Sequence, residues 1–327
     1  MQRETQLQIE KSSSLGHTHD YDIIVVGAGP SGMSAAICAA RAQLKVLVLD
    51  KAIPGGEAST AYRVDNYLGF PGGVMGLDLA RQMEEHMRTF NIDFVCATVD
   101  DVRSMGPLDQ KVSTDMGRTF LTKAVILSVG LEPKPLGREF EKRFFGRGVS
   151  YYAQGDGRSY QGQHVAVIGG GNCACYAAEY LAEHVDRLYL IHRSGHIKAV
   201  KSLHDKVLSN PKIQPIWNSE VEDAFGVDKI EKIKVYNTVT GQSIWLDVKC
   251  IFVYVGRMPP KEILNLNLQL DEDGYIITDE YMRTSLPGIY AAGDARSKQI
   301  RQIATAVADG MIAAVNAGRD ISSTGAR

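Results

Sequence analysis

Twice in this chain a β-prone run ends in a glycine turn that opens an alanine-rich stretch, and few folds admit that arrangement. The first copy is YDIIVVGAGPSGMSAAICAARAQLKVLVLDK, from Tyr21 to Lys51. Tyr21 to Val26 is mostly apolar and leads into Gly27-x-Gly29-x-x-Gly32. A helix is expected to about Gln43, then a second strand from Lys45 to Leu49 that ends at Asp50. This order is the βαβ dinucleotide fingerprint. The first glycine permits the turn, the second lets the backbone approach a pyrophosphate, and the third lets helix and strand pack closely. The helix N-terminus then faces the phosphates, with Asp50 placed for ribose hydroxyls. A lone Gly-x-Gly-x-x-Gly is weak evidence. Strand, helix, second strand and acid in order make a plain glycine-rich turn a poor reading.

HVAVIGGGNCACYAAEYLAEHVDRLYLIHRS repeats the pattern. A strand ends near Ile168, Gly169, Gly171 and Ala174 follow in the GxGxxA form, a helix runs to about Glu183, and a strand from Leu188 reaches Ile191. Where an acid would hold a free ribose stands the pair His192-Arg193. It suits a phosphorylated ribose, or else is an exposed, solvated pair. Two such units mean two nucleotides, or one nucleotide and a relic. Near the C-terminus a short strand, Gly288 to Ala291, leads into Gly293-Asp294 and a helix with small apolar residues. The glycine allows close backbone approach to a ligand, and the acid can accept a hydrogen bond from a ribityl hydroxyl. That segment makes sense only beside the first glycine turn. The expected fold is therefore α/β, with two Rossmann-like domains, the second inserted in the first. Residues 21–133 and 261–327 make the discontinuous unit and 134–260 the insert.

Composition narrows the function classes. Across 327 residues, 44% hydrophobic content supports a sizeable core, and a formal net charge of -2 argues against nucleic acid as a partner. No apolar run is long enough for a membrane span. Residues 1–20 read as a disordered polar tail with no signal-peptide core, so a cytoplasmic protein is expected. His17 and His19 sit in that tail, where solvation is the plain reading, and no metal site is expected. Five cysteines, Cys38, Cys96, Cys173, Cys175 and Cys250, contain no C-x-x-C pair. Cys38 and Cys250 lie in apolar runs and read as core. Cys173 and Cys175 on one helix should point to different faces.

VGAGPSG, PGGE (Pro54 to Glu57), VDNYLGFPGG (Val64 to Gly73), GVSY with a following DG, and GIYAAGDAR…RQIATAVADG occur in an order that resembles the thioredoxin reductase family of low-molecular-weight flavoproteins. The likeness spans nearly the whole chain after the tail. It implies an FAD domain, an inserted NAD(P)H-type domain and a homodimer. Carried over position by position, it implies FAD contacts from Gly27, Gly29, Pro30, Ser31, Gly32, Asp50, Lys51, Gly56, Glu57, Asn66, Val99, Ser128, Gly130, Gly293, Asp294, Arg301, Gln302 and Ile303. The second nucleotide site would draw on Gly169, Gly171, Asn172, His192, Arg193 and Lys198.

The departures from that family matter as much. Its members carry Cys-Ala-x-Cys before Asp-Gly in the inserted domain, and here Tyr152 and Gly155 take the two cysteine positions. A phenol cannot perform thiol–disulfide exchange and glycine has no side chain, so that route is closed. Asp156 keeps the position of the family's acid beside the dithiol, or is simply a turn residue. Around the second site, HRSGHIK replaces the usual His-Arg-Arg and following Arg, leaving Ser194 and Lys198. Serine cannot make the bidentate phosphate contact of arginine, so NADPH binding is in doubt. Among relatives of this kind the chain is most similar to the diflavin-linked disulfide oxidoreductases, which implies a second FAD stacked on the first, with Tyr152 near its ring and Tyr151 filling space. Catalytic positions then fall to Tyr152 and Asp156. The implied activity is an FAD-dependent oxidoreductase that passes electrons through flavin to an acceptor, with a small redox protein (ferredoxin or thioredoxin-like) as partner. A thioredoxin-reductase-like ferredoxin–NADP reductase and a non-turnover flavin sensor are the alternatives.

Overall fold

The computed structural model describes residues 19–260 and 265–324. Both glycine turns sit at the ends of strands paired in parallel on both sides. The first sheet runs in the order Ile92–Cys96, Val46–Asp50, Tyr21–Val26, Thr119–Leu127, Asp109–Thr114 and Val99–Gly106, with Ile289–Ala291 also paired to Thr119–Leu127. Tyr21–Val26 pairs in parallel with both of its neighbours, so its apolar run is covered on two faces and Ile23, Ile24 and Val25 are fully buried. Burying each such side chain contributes about 1.5–3 kcal/mol. The helix expected to reach Gln43 spans Pro30–Arg41 and stops because Gln43 adopts φ 61°, outside helical space.

Ile289–Ala291 continues this sheet in parallel with Val125–Leu127, which brings the far end of the chain beside the first glycine turn. The C-terminal helix Ile303–Thr324 then packs along Pro30–Arg41 through Ala35, Ala36 and Ala39 against Ala313, Ala314 and Ala317. A Cβ at Gly310 would collide with the Ser31 carbonyl, so this close helix pairing depends on a glycine there.

The second sheet is parallel throughout, in the order Ile213–Ile216, Arg187–Ile191, His164–Ile168, Cys250–Val253 and Val149–Ser150. A three-stranded antiparallel sheet, Ser219–Phe225, Lys232–Asn237 and Ser243–Leu246, covers part of it. The segments that lead between the two large sheets pair with each other, Arg257 with Pro133 and Met258 with Glu132.

The expected tail disorder does not hold for His19 and Asp20. Asp20 exchanges two hydrogen bonds with the Leu121 backbone, both 2.9 Å, and His19 Nε2 lies 3.3 Å from Asp109. Residues 1–18, with His17, and residues 261–264 fall outside the described residues. Cys250 is buried against the Tyr160 hydroxyl, and burial pushes its thiol up to about 12. Cys38 is only half-buried.

Candidate nucleotide and redox site

The three glycines of the first turn do different jobs. Gly27 has φ 102°, and a Cβ there would strike the Ser128 carbonyl. A Cβ at Gly32 would collide with the Gly27 carbonyl oxygen. Both glycines are therefore required by the fold. Gly29 has φ -72°, which any residue adopts, and a Cβ there would meet only the Gly56 Cα at 3.9 Å. The space above Gly29 is open. No side chain caps the helix that starts at Pro30, so its first amides and dipole face that space.

Asp50 Oδ2 accepts the Ala28 amide at 2.6 Å and Oδ1 the Ala52 amide at 2.9 Å, with Lys51 exposed beside it. The acid expected to meet a ribose therefore also ties the glycine turn to the end of its strand. Each oxygen keeps a second lone pair for a ligand.

The C-terminal turn closes onto this site. Gly293 has φ 80°, and a Cβ there would press on the buried Ser31 side chain. Asp294 Oδ1 and Ser128 Oγ are buried without a hydrogen-bond partner. Burial raises the Asp294 carboxyl, against the pull of Lys298 and Arg301. Gly130, φ 63°, stands over open space. Arg301 lies 3.7 Å over the Tyr275 ring and donates Nε to the Asp294 carbonyl at 3.2 Å. Asn66 Nδ2 donates to Gln302 Oε1 at 2.9 Å, and Ile303 opens the C-terminal helix beside them. Val99 differs: it is buried in the core with Ile24, Val26 and Leu127.

In the second turn Gly169 has φ 144° and abuts the Tyr254 carbonyl, while a Cβ at Gly171 would meet nothing within 4 Å. The division of labour seen at Gly27 and Gly29 recurs. Asn172 Oδ1 accepts the Val200 amide at 2.9 Å, so its side chain staples the loop that carries Lys198. The His192 ring covers Gly170, and Ser194 Oγ lies 2.9 Å from His192 Nε2. Burial first, then Arg193, Lys198 and His196, holds His192 below its ordinary value. Arg193 and Lys198 are exposed at the rim.

The loop from Gly148 to Gly157 is braced locally. Ser150 Oγ donates to Asp156 Oδ2 at 2.7 Å and accepts the Tyr152 amide at 2.9 Å. Asp156 thus has a turn-fixing role. Tyr151 donates its hydroxyl to the buried Glu141 at 2.7 Å, which leaves it a structural part. Tyr152 is 42% exposed, and its ring covers Gly155 so closely that a Cβ there would come within 2.5 Å of Cε1. Between the two turns, Glu57 pairs with Arg257, Tyr62 donates to Glu183 at 3.2 Å and Tyr176 to Asp65 at 3.3 Å. Cys173 is exposed and Cys175 buried on the helix that opens at Asn172.

The family model described as pyridine nucleotide-disulphide oxidoreductase matches residues 21–310. The thioredoxin reductase of Listeria innocua is 38% identical over 299 residues, 91% of this chain and 92% of that one. The chain belongs to the thioredoxin-reductase-like pyridine nucleotide-disulphide oxidoreductases. Its structure is similar to that of Lactococcus lactis thioredoxin reductase in the FR conformation, with TM-score 0.88, 35% identity, and coverage of 93% of this chain and 99% of that one. It is also similar to a ferredoxin-flavin thioredoxin reductase from Clostridium acetobutylicum, with TM-score 0.51, 30% identity, and coverage of 93% and 98%. Membership accounts for both Rossmann-like units of this thioredoxin-reductase-like chain. Arg296, Lys298 and Asp309 were not expected from the motifs, although an acid inside the apolar run IATAVADGMIAAV was a readable sign. Among the described residues, no helix is long and apolar enough to cross a membrane.

Proposed function

We propose that the chain is an FAD-dependent oxidoreductase of thioredoxin reductase type that works without paired cysteines. FAD would be held by the unit of residues 21–133 and 261–327, and a nicotinamide-type nucleotide by residues 134–260. What carries this reading is a pair of buried oxygens without a hydrogen bond, Ser128 Oγ, which has no partner, and Asp294 Oδ1, which has only the Lys298 ammonium at 3.4 Å; Ser128 packs on Gly27, and Gly293 before Asp294 packs on Ser31. Leaving such a group unpaired costs about 1–3 kcal/mol, and a polyhydroxylated ligand offers the missing partners. Gly29 and Gly56 leave room for a pyrophosphate at the uncapped helix N-terminus. When bound, FAD supplies the electron-transfer chemistry.

With Tyr152 and Gly155 at the dithiol positions, electrons would leave by direct contact with an acceptor or through a second FAD against Tyr152. The ferredoxin-flavin relative supports a small redox protein as partner. Exposed Tyr281, Met311 and Val315 give a homodimer an apolar face to use. The test is flavin stoichiometry. The two-flavin form of the reading expects more than one FAD per chain in excess flavin, falling toward one in Tyr152→Trp. A strict one-to-one ratio in the unmodified protein would leave a single-flavin enzyme.

For the second site, Asn172 and Ser194 are occupied within the protein, so a 2′-phosphate finds Arg193 and Lys198 as its charged partners. Each charged hydrogen bond lost costs about 1.5–3 kcal/mol, tenfold or more in affinity. NADPH is expected to bind weakly, with less than about a tenfold preference over NADH. That preference should stay flat between about pH 7 and 9, because a histidine held below its ordinary value is neutral throughout that range. Calorimetry with both nucleotides checks it, and tight, NADPH-selective binding would refute it.

A further inference from the structure

Three charges beside Asp294, those of Lys298, Asp309 and Arg296, have no part in the reading above. Lys298 is only 9% exposed, rare for a lysine, and its Nζ lies 2.9 Å from Asp309 Oδ2, 3.4 Å from Thr305 Oγ1 and 3.4 Å from Asp294 Oδ1. Asp309, 7% exposed, already has a cation: Arg296 donates Nε and Nη2 to its two oxygens at 2.9 and 3.2 Å. It also accepts the Gly293 amide at 3.2 Å. One carboxylate shared by two cations leaves a positive charge over, and that charge faces Asp294.

We propose that Lys298 is a positioning residue for the flavin site, anchored on Asp309 so that it holds Asp294 ionised and aimed at the cofactor's hydroxyl-bearing chain. The proposal rests on the FAD reading given above. Asp309 fixes both the backbone before Asp294 and the cation beside it, so one buried acid sets the geometry of the whole turn. The other charged groups that face Asp294 are Arg301, Arg296 and Asp309. Arg301 is committed to Tyr275 and to backbone carbonyls, and Arg296 to Asp309 and Thr278. The helix Pro30–Arg41 brings Ser31 to the turn, and its one charge, Arg41, is at its far end. On the strand side Ile276 donates its amide to Ala295. Without Lys298, burial and the Asp309 charge would favour the protonated acid. A neutral carboxyl makes hydrogen bonds roughly half as strong as an ionised one.

The experiment compares Lys298→Met, Lys298→Arg and Asp294→Asn, with Arg296 left to pair Asp309 so that the fold is kept; Lys298→Gln takes the place of the Met variant should that one not fold. Two quantities are read: the FAD dissociation constant of deflavinated protein at pH 7, and the titration of Asp294 in flavin-free protein by NMR of 13C-labelled aspartate. Lys298→Met is expected to weaken FAD at least tenfold and to move the Asp294 titration to higher pH. Lys298→Arg should restore most of both, and in the Asp294→Asn background the Met substitution should cost less than twofold. An unmoved Asp294 titration, or an equal loss of FAD with and without the Asp294 carboxylate, overturns the proposal. Unmodified protein with no affinity for FAD would refute the cofactor reading instead, and the flavin-free titration would still decide whether Lys298 governs Asp294.

Discussion

Gly29→Val is expected to give a folded, colourless protein. Its backbone at φ -72° suits valine, and a Cβ at that position makes an ordinary 3.9 Å contact with the Gly56 Cα. The branched side chain instead fills the space over the helix N-terminus, where the pyrophosphate must approach to reach the free amides. A loss of at least about 100-fold in FAD affinity, about 2.8 kcal/mol, should follow with little change in the melting of the flavin-free chain. The comparison with Gly27→Val makes the result specific. That glycine combines a positive φ with a collision against the Ser128 carbonyl, so its substitution should destabilise the flavin-free protein as well. Absorbance at the flavin bands and denaturant titration of both variants separate the two effects. Full FAD retention in Gly29→Val would refute the site.

How much of this was legible in the sequence depends on range. The strands and helices flanking both turns were readable within one or two residues, because an apolar run buried on both faces and an alanine-rich amphipathic stretch are local signals. The placement of the Ile289–Ala291 segment beside the first glycine turn was also readable, through the Gly293-Asp294 turn that has no purpose elsewhere, but its pairing with Thr119–Leu127 was not. Side-chain commitments were not. Nothing in the string marks Asn172 as a staple for Val200, Ser194 as the partner of His192, or Tyr151 as the partner of Glu141. These are pairings between elements, and a residue's type gives its hydrogen-bonding capacity but not which group will claim it. The same holds for Asp50, whose carboxylate serves the turn as well as any ligand. The Lys298–Asp309 pair stayed hidden because the lysine reads as part of an exposed polar loop, ARSKQIRQ, until the helix beneath it is in place.

Thioredoxin disulfide is expected to remain oxidised when mixed with this protein and either NADPH or photoreduced flavin. Disulfide reduction requires a thiolate that attacks one sulfur and a second thiol that resolves the mixed disulfide. Of the five cysteines, Cys175 and Cys250 are buried, Cys38 is half-buried, and the exposed Cys96 and Cys173 lie on different elements, a strand and a helix. Burial also pushes the Cys175 thiol up to about 11, which leaves little thiolate near neutral pH. Tyr152 and Gly155, the positions that the family resemblance assigns to the dithiol, pack against each other. Because the Tyr152 ring covers Gly155, Gly155→Cys alone must displace the ring, an overpacking cost of about 1–3 kcal/mol. In a Tyr152→Ala background the same substitution should cost almost nothing, and the difference between the two measurements is the coupling of the pair. Equal costs in the two backgrounds would mean that ring and glycine are independent. Rapid thioredoxin reduction by the unmodified protein would mean that some other pair of its five cysteines does the work, and the single-cysteine serine variants would then identify which.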